Sequence, residues 1–229
     1  MHKSLGRVKY PGEIIDGDRD FAVRAVKEGY CALALEQRCF GECGGIESTG
    51  EPDCYRASMA AMLIGRTAIG ERVWDVQRAI DILEKYFPQA DAQKIICMGN
   101  SGGGTTALFA ACVEPRIGFA MPSCYFCTFD DSIAAIYHCI CNLVPGIRKY
   151  FDMGDLAGFI APRPLVLVAG KDDDIFPIEG VKKAFATAQK YYAAANAADN
   201  IKLVVGDGGH RFYADDAWPV MNLFIGGKP

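Results

Sequence analysis

Lys94-Ile95-Ile96-Cys97-Met98-Gly99-Asn100-Ser101-Gly102-Gly103-Gly104-Thr105-Thr106-Ala107 is the stretch from which the fold can be read. An apolar run ends at a glycine, a serine is flanked by glycines, and small residues lead into a second apolar run ending near Cys112. That pattern predicts a buried strand, a tight turn carrying Ser101, and a helix. The flanking glycines admit close backbone approach, so a turn of this kind can project the serine hydroxyl above the sheet. The helix behind it points free N–H groups at any negative charge that develops there. Glycine and serine are common in loops, and it is the strand-to-helix setting that gives G-x-S-x-G its weight. Gly102 N–H is the candidate oxyanion donor, and Asn100, next to the serine, is a candidate substrate contact.

A serine hydroxyl becomes a nucleophile when an imidazole takes its proton, and a carboxylate must orient that imidazole. Both residue types follow, in the order acid then histidine. Pro164-Leu165-Val166-Leu167-Val168-Ala169-Gly170 reads as a buried parallel strand running into Lys171-Asp172-Asp173-Asp174. Ile201-Lys202-Leu203-Val204-Val205 reads as another strand and runs into Gly206-Asp207-Gly208-Gly209-His210. The chain has three histidines. His2 is near the terminus and His138 lies in a cysteine-rich segment, which leaves His210 as the candidate base. Among the three aspartates only one can point inward; Asp173 is preferred, with Asp172 and Asp174 as alternatives.

With these motifs in place, the sequence resembles the α/β-hydrolase superfamily, and within it the acetyl xylan esterase-like and dienelactone hydrolase-like families. The resemblance is carried by Cys97 to Gly104, by Ala161-Pro162-Arg163-Pro164 leading to Gly170 through Pro177, and by Gly208-Gly209-His210-Arg211-Phe212. The G-x-x-D-x-x-x-P spacing of those families falls on Gly170, Asp173 and Pro177, which is why Asp173 leads. The resemblance implies an α/β-hydrolase fold with a mostly parallel sheet, helices on both faces and a site at the carboxyl ends of the strands. It also implies a serine esterase acting through an acyl-enzyme on short, above all acetyl, esters of small molecules, with acetylated xylan fragments as one class. Dienelactone-type or other carboxylic ester hydrolysis is the alternative; the lactone enzymes commonly use a cysteine nucleophile, so the serine counts against the dienelactone-type reading. A weakly catalytic or purely ligand-binding hydrolase fold is a third.

Length and composition agree with a single domain over residues 1–229. The chain has 229 residues, 51% of them hydrophobic, a formal net charge of −4 and scattered basic residues. That is enough to bury one sizeable core, and the charge argues against nucleic-acid partners. There is no apolar run long enough for a membrane span and no apolar signal segment at the start, so a cytoplasmic location is expected. Ten cysteines without an export signal read as reduced thiols. Cys124-x-x-Cys127 followed by Cys139-x-Cys141, with His138 beside them, has the look of a metal site, but core packing is the default expectation, with no metal and no cofactor.

The remaining pattern alternates helix and strand: a helix over Asp20–Glu28, a strand over Tyr30–Leu35, helices over Gly70–Phe87 and Val181–Ala195, a strand over Arg116–Met121 and a final helix over Ala214–Ile225. The segment from about 123 to 160 reads as a small cap-like insertion, and its Tyr125 and Phe126 are candidate substrate contacts. Arg38 and Glu42, in Glu36-Gln37-Arg38-Cys39-Phe40-Gly41-Glu42, read as structural. The family normally carries a further strand between those of Leu33 and Ile96, and residues 1–16 contain no strand-like run to supply it. The fold is therefore expected to be N-terminally shortened, with the second oxyanion donor unassigned. An open sheet edge would favour a homodimer or higher oligomer.

Overall fold

The computed structural model describes residues 18, 20–44 and 54–226. Four parallel strands form one sheet in the order β1 (Ile95–Asn100), β2 (Ile117–Ser123), β3 (Leu165–Gly170) and β4 (Ile201–Gly206). Sequence order equals spatial order, so each connection steps to the neighbouring strand. The helices are α1 (Phe21–Lys27), α2 (Cys54–Leu63), α3 (Ala68–Tyr86), α4 (Gly102–Val113), the short α5 (Met153–Leu156), α6 (Ile178–Ala194) and α7 (Ala214–Ile225).

Two apolar layers hold the sheet. On one face Ile69, Val73 and Ile80 of α3, Leu108 of α4 and Val181 and Ala184 of α6 pack on Ile117, Leu165 and Leu167. On the other, Ala25 of α1 and Ala217, Trp218 and Met221 of α7 pack on Met121, Val166 and Val168. Alternate residues of β3 thus face opposite layers, and every residue of the strand is buried. A strand covered on both faces reads in sequence as an unbroken apolar run, as Leu165–Gly170 does.

Among the described residues β1 ends the sheet, with β2 as its neighbour on the other side. The strand expected over Tyr30–Leu35 does not form. Residues 31–37 have no regular structure, and Leu33 and Leu35 are exposed. An extended segment becomes a strand only when a neighbour takes its backbone hydrogen bonds, and among the described residues β1 pairs with β2 alone. The expectation for residues 1–16 falls outside the described residues. The helix α2 was not foreseen, since its sequence Cys54-Tyr55-Arg56-Ala57-Ser58-Met59 shows little amphipathic contrast.

The segment between β2 and β3 is not a separate cap along its whole length. Cys124 to Phe129 are core residues, whereas Ile136, Tyr137, Cys139, Leu143 and Tyr150 are exposed. At the opposite end of the sheet Arg163 donates to five backbone carbonyls. Its Nε reaches Ile160 O, Nη1 reaches Glu114 O and Ile117 O, and Nη2 reaches Ala111 O and Phe159 O, at 2.6 to 3.2 Å.

Candidate active site

Ser101 stands between β1 and α4 with φ 55° and ψ −121°. Non-glycine residues rarely adopt such a conformation, and it persists only where the surroundings enforce it. Here Ser101 N–H donates to Ser123 O at 2.9 Å and Thr105 N–H donates to Ser101 O at 2.8 Å. The glycines around it are required by space. A Cβ on Gly99 would lie 2.6 Å from the carbonyl carbon of Gly103, and one on Gly104 would lie 2.5 Å from Ser123 O. Only glycine at 99 and 104 lets α4 sit this close to β1 and β2.

Asp173 is the inward-facing member of its triplet: it is 4% exposed, whereas Asp172 and Asp174 are exposed. Its Oδ1 accepts from the backbone N–H groups of Ile175 and Phe176, at 2.9 and 3.1 Å. Its Oδ2 lies 2.8 Å from His210 Nδ1. Burial pushes the Asp173 carboxyl upward, but the His210 contact and the two amides outweigh it and hold the group below its ordinary value. The histidine loop is fastened to β3 by Lys171 N–H to Gly206 O and Asp172 N–H to Gly208 O, at 2.9 and 2.8 Å. Tyr213 Oη–H also donates to Gly209 O, at 2.8 Å. A Cβ on Gly170 would collide with Gly209 O, so the sequence Ala169-Gly170 is what lets the loop close over the strand end.

Ser101, Asp173 and His210 follow β1, β3 and β4 in a parallel sheet, so all three occupy its carboxyl edge. Cys124, which follows β2, stands beside the acid and the base: its Sγ donates to Arg211 O at 3.1 Å and lies within 4.8 Å of the facing atoms of Asp173 and His210.

Asn100 is placed at the end of β1, and its Oδ1 accepts from Ser123 Oγ at 2.7 Å. That bond ties β1 to β2. Tyr125 and Phe126 are 1% and 2% exposed and belong to the main core. The Tyr125 ring packs against Phe109 and Phe176 with centroids 6.4 and 5.4 Å apart. The expected substrate contacts at these two positions are therefore corrected to core residues, since the chain turns inward directly after β2.

Other residues stand where substrate contacts were expected. Phe40 lies against Gly102, its Cζ 3.7 Å from where a Cβ would be. Gln37 Oε1 accepts from Thr106 Oγ1 on α4 at 2.6 Å. Arg38 pins this turn to α3 by a bidentate pair with Asp75, at 2.6 and 2.7 Å, and a bond to Glu71 at 2.7 Å. Phe176 stacks on His210, with centroids 5.9 Å apart and planes 19° apart, and His138 meets the same ring edge-on at 5.7 Å. His138 and His210 thus share Phe176 as a neighbour, and burial, the largest influence on His138, pushes it below its ordinary value. Asn142 links His138 Nδ1, at 3.0 Å, to Thr105 Oγ1, also at 3.0 Å. No spacing in the sequence pointed to His138 or Phe40, because loops of irregular path bring them in.

A family model described as Abhydrolase family matches residues 11–203. The chain belongs to this Abhydrolase family. It is 28% identical over 187 residues to a Bacillus subtilis (strain 168) protein named "Putative hydrolase YtaP", covering 80% of this chain and 60% of that one. It is 25% identical over 231 residues to a 4-O-methyl-glucuronoyl methylesterase of Phanerochaete carnosa (strain HHB-10118-sp), covering 87% of this chain and 55% of the relative. The chain therefore spans between half and two thirds of the length of these curated relatives. Among solved structures, a protein of Bacteroides fragilis NCTC 9343 described as a "putative acetyl xylan esterase" superposes with a TM-score of 0.68 at 21% identity, over 80% of this chain and 49% of that one. This last likeness establishes the α/β-hydrolase fold, which the parallel sheet with helices on both faces also displays.

Proposed function

We propose that this abhydrolase is a serine-dependent carboxylic ester hydrolase, with Ser101 as nucleophile, His210 as general base and then acid, and Asp173 as the carboxylate that orients the imidazole. The observation that carries the reading is the 2.8 Å bond between Asp173 and His210 Nδ1. Holding Nδ1 as donor leaves Nε2 to take the proton from Ser101. Ser101 Oγ then attacks the ester carbonyl, the alcohol leaves with the proton from His210, and water resolves the acyl-enzyme. Gly102 N–H, the first of α4, is the oxyanion donor, aided by the positive end of that helix.

The substrate class follows from kinship. Relatives named for acetyl xylan and for methyl-glucuronoyl esters both point to esters borne by plant carbohydrate. Within that class the reading favours short acyl groups, acetyl first. Phe176, stacked against one face of His210, narrows the space beside the imidazole and supports a small acyl group. The outer edge of β1 supports association into a homodimer through that edge.

The test is hydrolysis of p-nitrophenyl acetate, butyrate and octanoate, acetylated xylo-oligosaccharide and a methyl glucuronate ester by the purified chain beside Ser101→Ala. Activity that falls with acyl length and disappears in the variant is expected. Equal background rates in two folded proteins would refute catalysis and leave a ligand-binding role. A preference for the glucuronate ester would replace the acetyl assignment.

A further inference from the structure

Around the turn of residues 38–43, beside the proposed catalytic edge, thiols from distant parts of the sequence converge. Cys54 at the start of α2 and Cys139 and Cys141 of the segment after β2 place their Sγ atoms within 4.8 Å of one another. Cys139 and Cys141 are 3.0 Å apart. Cys39 is buried in the same cluster as Cys54 and Cys141 and stands near enough to influence the Cys54 thiol. No disulfide joins any of the four. Cys39 occupies a position with φ 71°, where glycine would be unstrained.

A second and independent observation concerns Arg72. Its side chain comes from α3 and is 1% exposed. Nη2 reaches Cys54 Sγ at 3.4 Å and Arg38 O at 3.1 Å, and the guanidinium covers the Phe40 ring at 4.8 Å. Nε and Nη1 are buried and have no hydrogen-bond partner. Among the described residues no carboxylate pairs with this cation. A guanidinium is always charged and is costly to bury without a counter-charge; the carbonyl of Arg38 and the Phe40 ring offer it partial charge, and among the described residues the ionisable groups it faces are thiols, which can supply a full one. One thiolate would balance Arg72. A disulfide is neutral and would leave Arg72 uncompensated, and several thiolates this close would repel one another unless a cation lies between them.

We propose that Cys54, Cys139 and Cys141, with Cys39 as fourth donor, form a thiolate zinc site whose outer charge is partly neutralised by Arg72. Three thiols lose their protons on binding Zn²⁺, giving a centre of net charge −1 that Arg72 balances; ionisation of Cys39 makes it −2. Zinc prefers four soft ligands in a tetrahedron with bonds of about 2.3 Å, which sets the sulfurs about 3.8 Å apart. Cys139, which is exposed, can move outward to open its contact with Cys141 to that spacing. The site would join three segments that otherwise share few regular hydrogen bonds: the 38–43 turn, α2 and the 139–142 loop. Because Asn142 next to Cys141 holds His138 and Thr105, the metal would brace the wall of the active site without touching the reacting atoms.

The test is metal analysis of the full chain purified without chelator, together with Co²⁺ loading of the reduced protein. One zinc per chain is expected, as are the intense visible bands and thiolate charge-transfer absorption of tetrahedral cobalt. Cys139→Ser and Cys54→Ser should each lose the metal, whereas Cys31→Ser and Cys97→Ser should retain it. Reduced, folded protein that binds neither zinc nor cobalt would overturn the proposal. So would an intact mass and peptide map showing a disulfide within this cluster, or metal that stays bound in the Cys54 and Cys139 variants. Should those variants fail to fold, the wild-type metal content, cobalt spectrum and thiol mapping decide the question by themselves.

Discussion

Replacing Asp173 with asparagine tests the catalytic reading most sharply, because it alters one charge and almost no volume. In the folded chain the carboxylate makes three bonds, two from backbone amides to Oδ1 and one with His210 through Oδ2. An asparagine can keep the first two by presenting its carbonyl to Ile175 and Phe176. Its amide then faces His210 as a donor, which forces Nδ1 to accept and moves the imidazole proton to Nε2, where it can no longer take the serine proton. The imidazolium formed in the transition state also loses its buried counter-charge. Loss of this kind in a serine–histidine–aspartate arrangement costs about 10⁴ in turnover, or about 5 kcal/mol of transition-state stabilisation. The assay is kcat and KM for p-nitrophenyl acetate with the thermal midpoint measured in parallel. A fall of about 10³ to 10⁴ in kcat with little change in KM is expected, while Asp172→Asn and Asp174→Asn, whose side chains are exposed, should stay within about twofold of wild type. Retention of more than a tenth of the activity in a folded Asp173→Asn protein, or an equal loss in Asp172→Asn, would refute the assignment. The sign of the pH effect also follows. Because the Asp173 carboxyl is held below its ordinary value, its contribution to stability is fully present above the unfolded value near pH 4 and is lost as pH falls through the folded value. Asp173→Asn removes that acid-side loss, and acid unfolding followed by fluorescence would show it.

Three further outcomes are expected. Gly104→Ala places a methyl group 2.5 Å from Ser123 O, and pushing α4 off the sheet should cost about 2 to 3 kcal/mol, read by urea unfolding; a wild-type midpoint would mean the helix can shift freely. Hydrogen bonding to Arg116, against an opposing effect of burial, lowers Glu114 to about 2. Its stabilising contribution is therefore complete above about pH 4.5 and lost as pH falls toward 2, and Glu114→Gln should flatten this part of the stability–pH curve and cost on the order of 2 kcal/mol at neutral pH. Arg38→Ala frees the turn that carries Phe40 from Asp75 and Glu71; the pairs are half-exposed, so a loss of about 1 kcal/mol is expected, accompanied by a rise in KM if Phe40 shapes the acyl site.

The parts of the fold that could be read from sequence are those whose patterns are local. β3 announces itself because both faces are covered, and α7 forms over the predicted residues Ala214–Ile225. The serine turn was legible because its steric demand fixes glycine at 99 and 104. Asp173 could be separated from its neighbours only by spacing, and the structure supplies the reason: the two amides that follow it fold back onto one carboxylate oxygen. The failures are non-local. Tyr30–Leu35 has the composition of a strand but, among the described residues, no strand that pairs with it, and a composition cannot report a missing neighbour. Tyr125 and Phe126 look like pocket aromatics, yet the chain dives inward directly after β2. Of the thiol cluster the sequence pattern shows only Cys139-x-Cys141, which it groups with Cys124 and Cys127; that Cys39 and Cys54 join them instead has no local signature.

Arg163 sits at the end of the sheet opposite Ser101, where its donors gather carbonyls from the end of α4, the start of β2 and the turn before β3. A lysine could satisfy only part of that set, because its ammonium lacks the planar fork. The amino ends of the strands thus carry a fastening remote from the proposed triad, so changes there should alter how long the protein survives heating while leaving the chemistry proposed for the opposite edge untouched. At the carboxyl ends the two are bound together, because Gly104 and Asp173 serve the packing as well as the proposed site. Hardening the protein is therefore work for the amino pole, where only endurance is at stake.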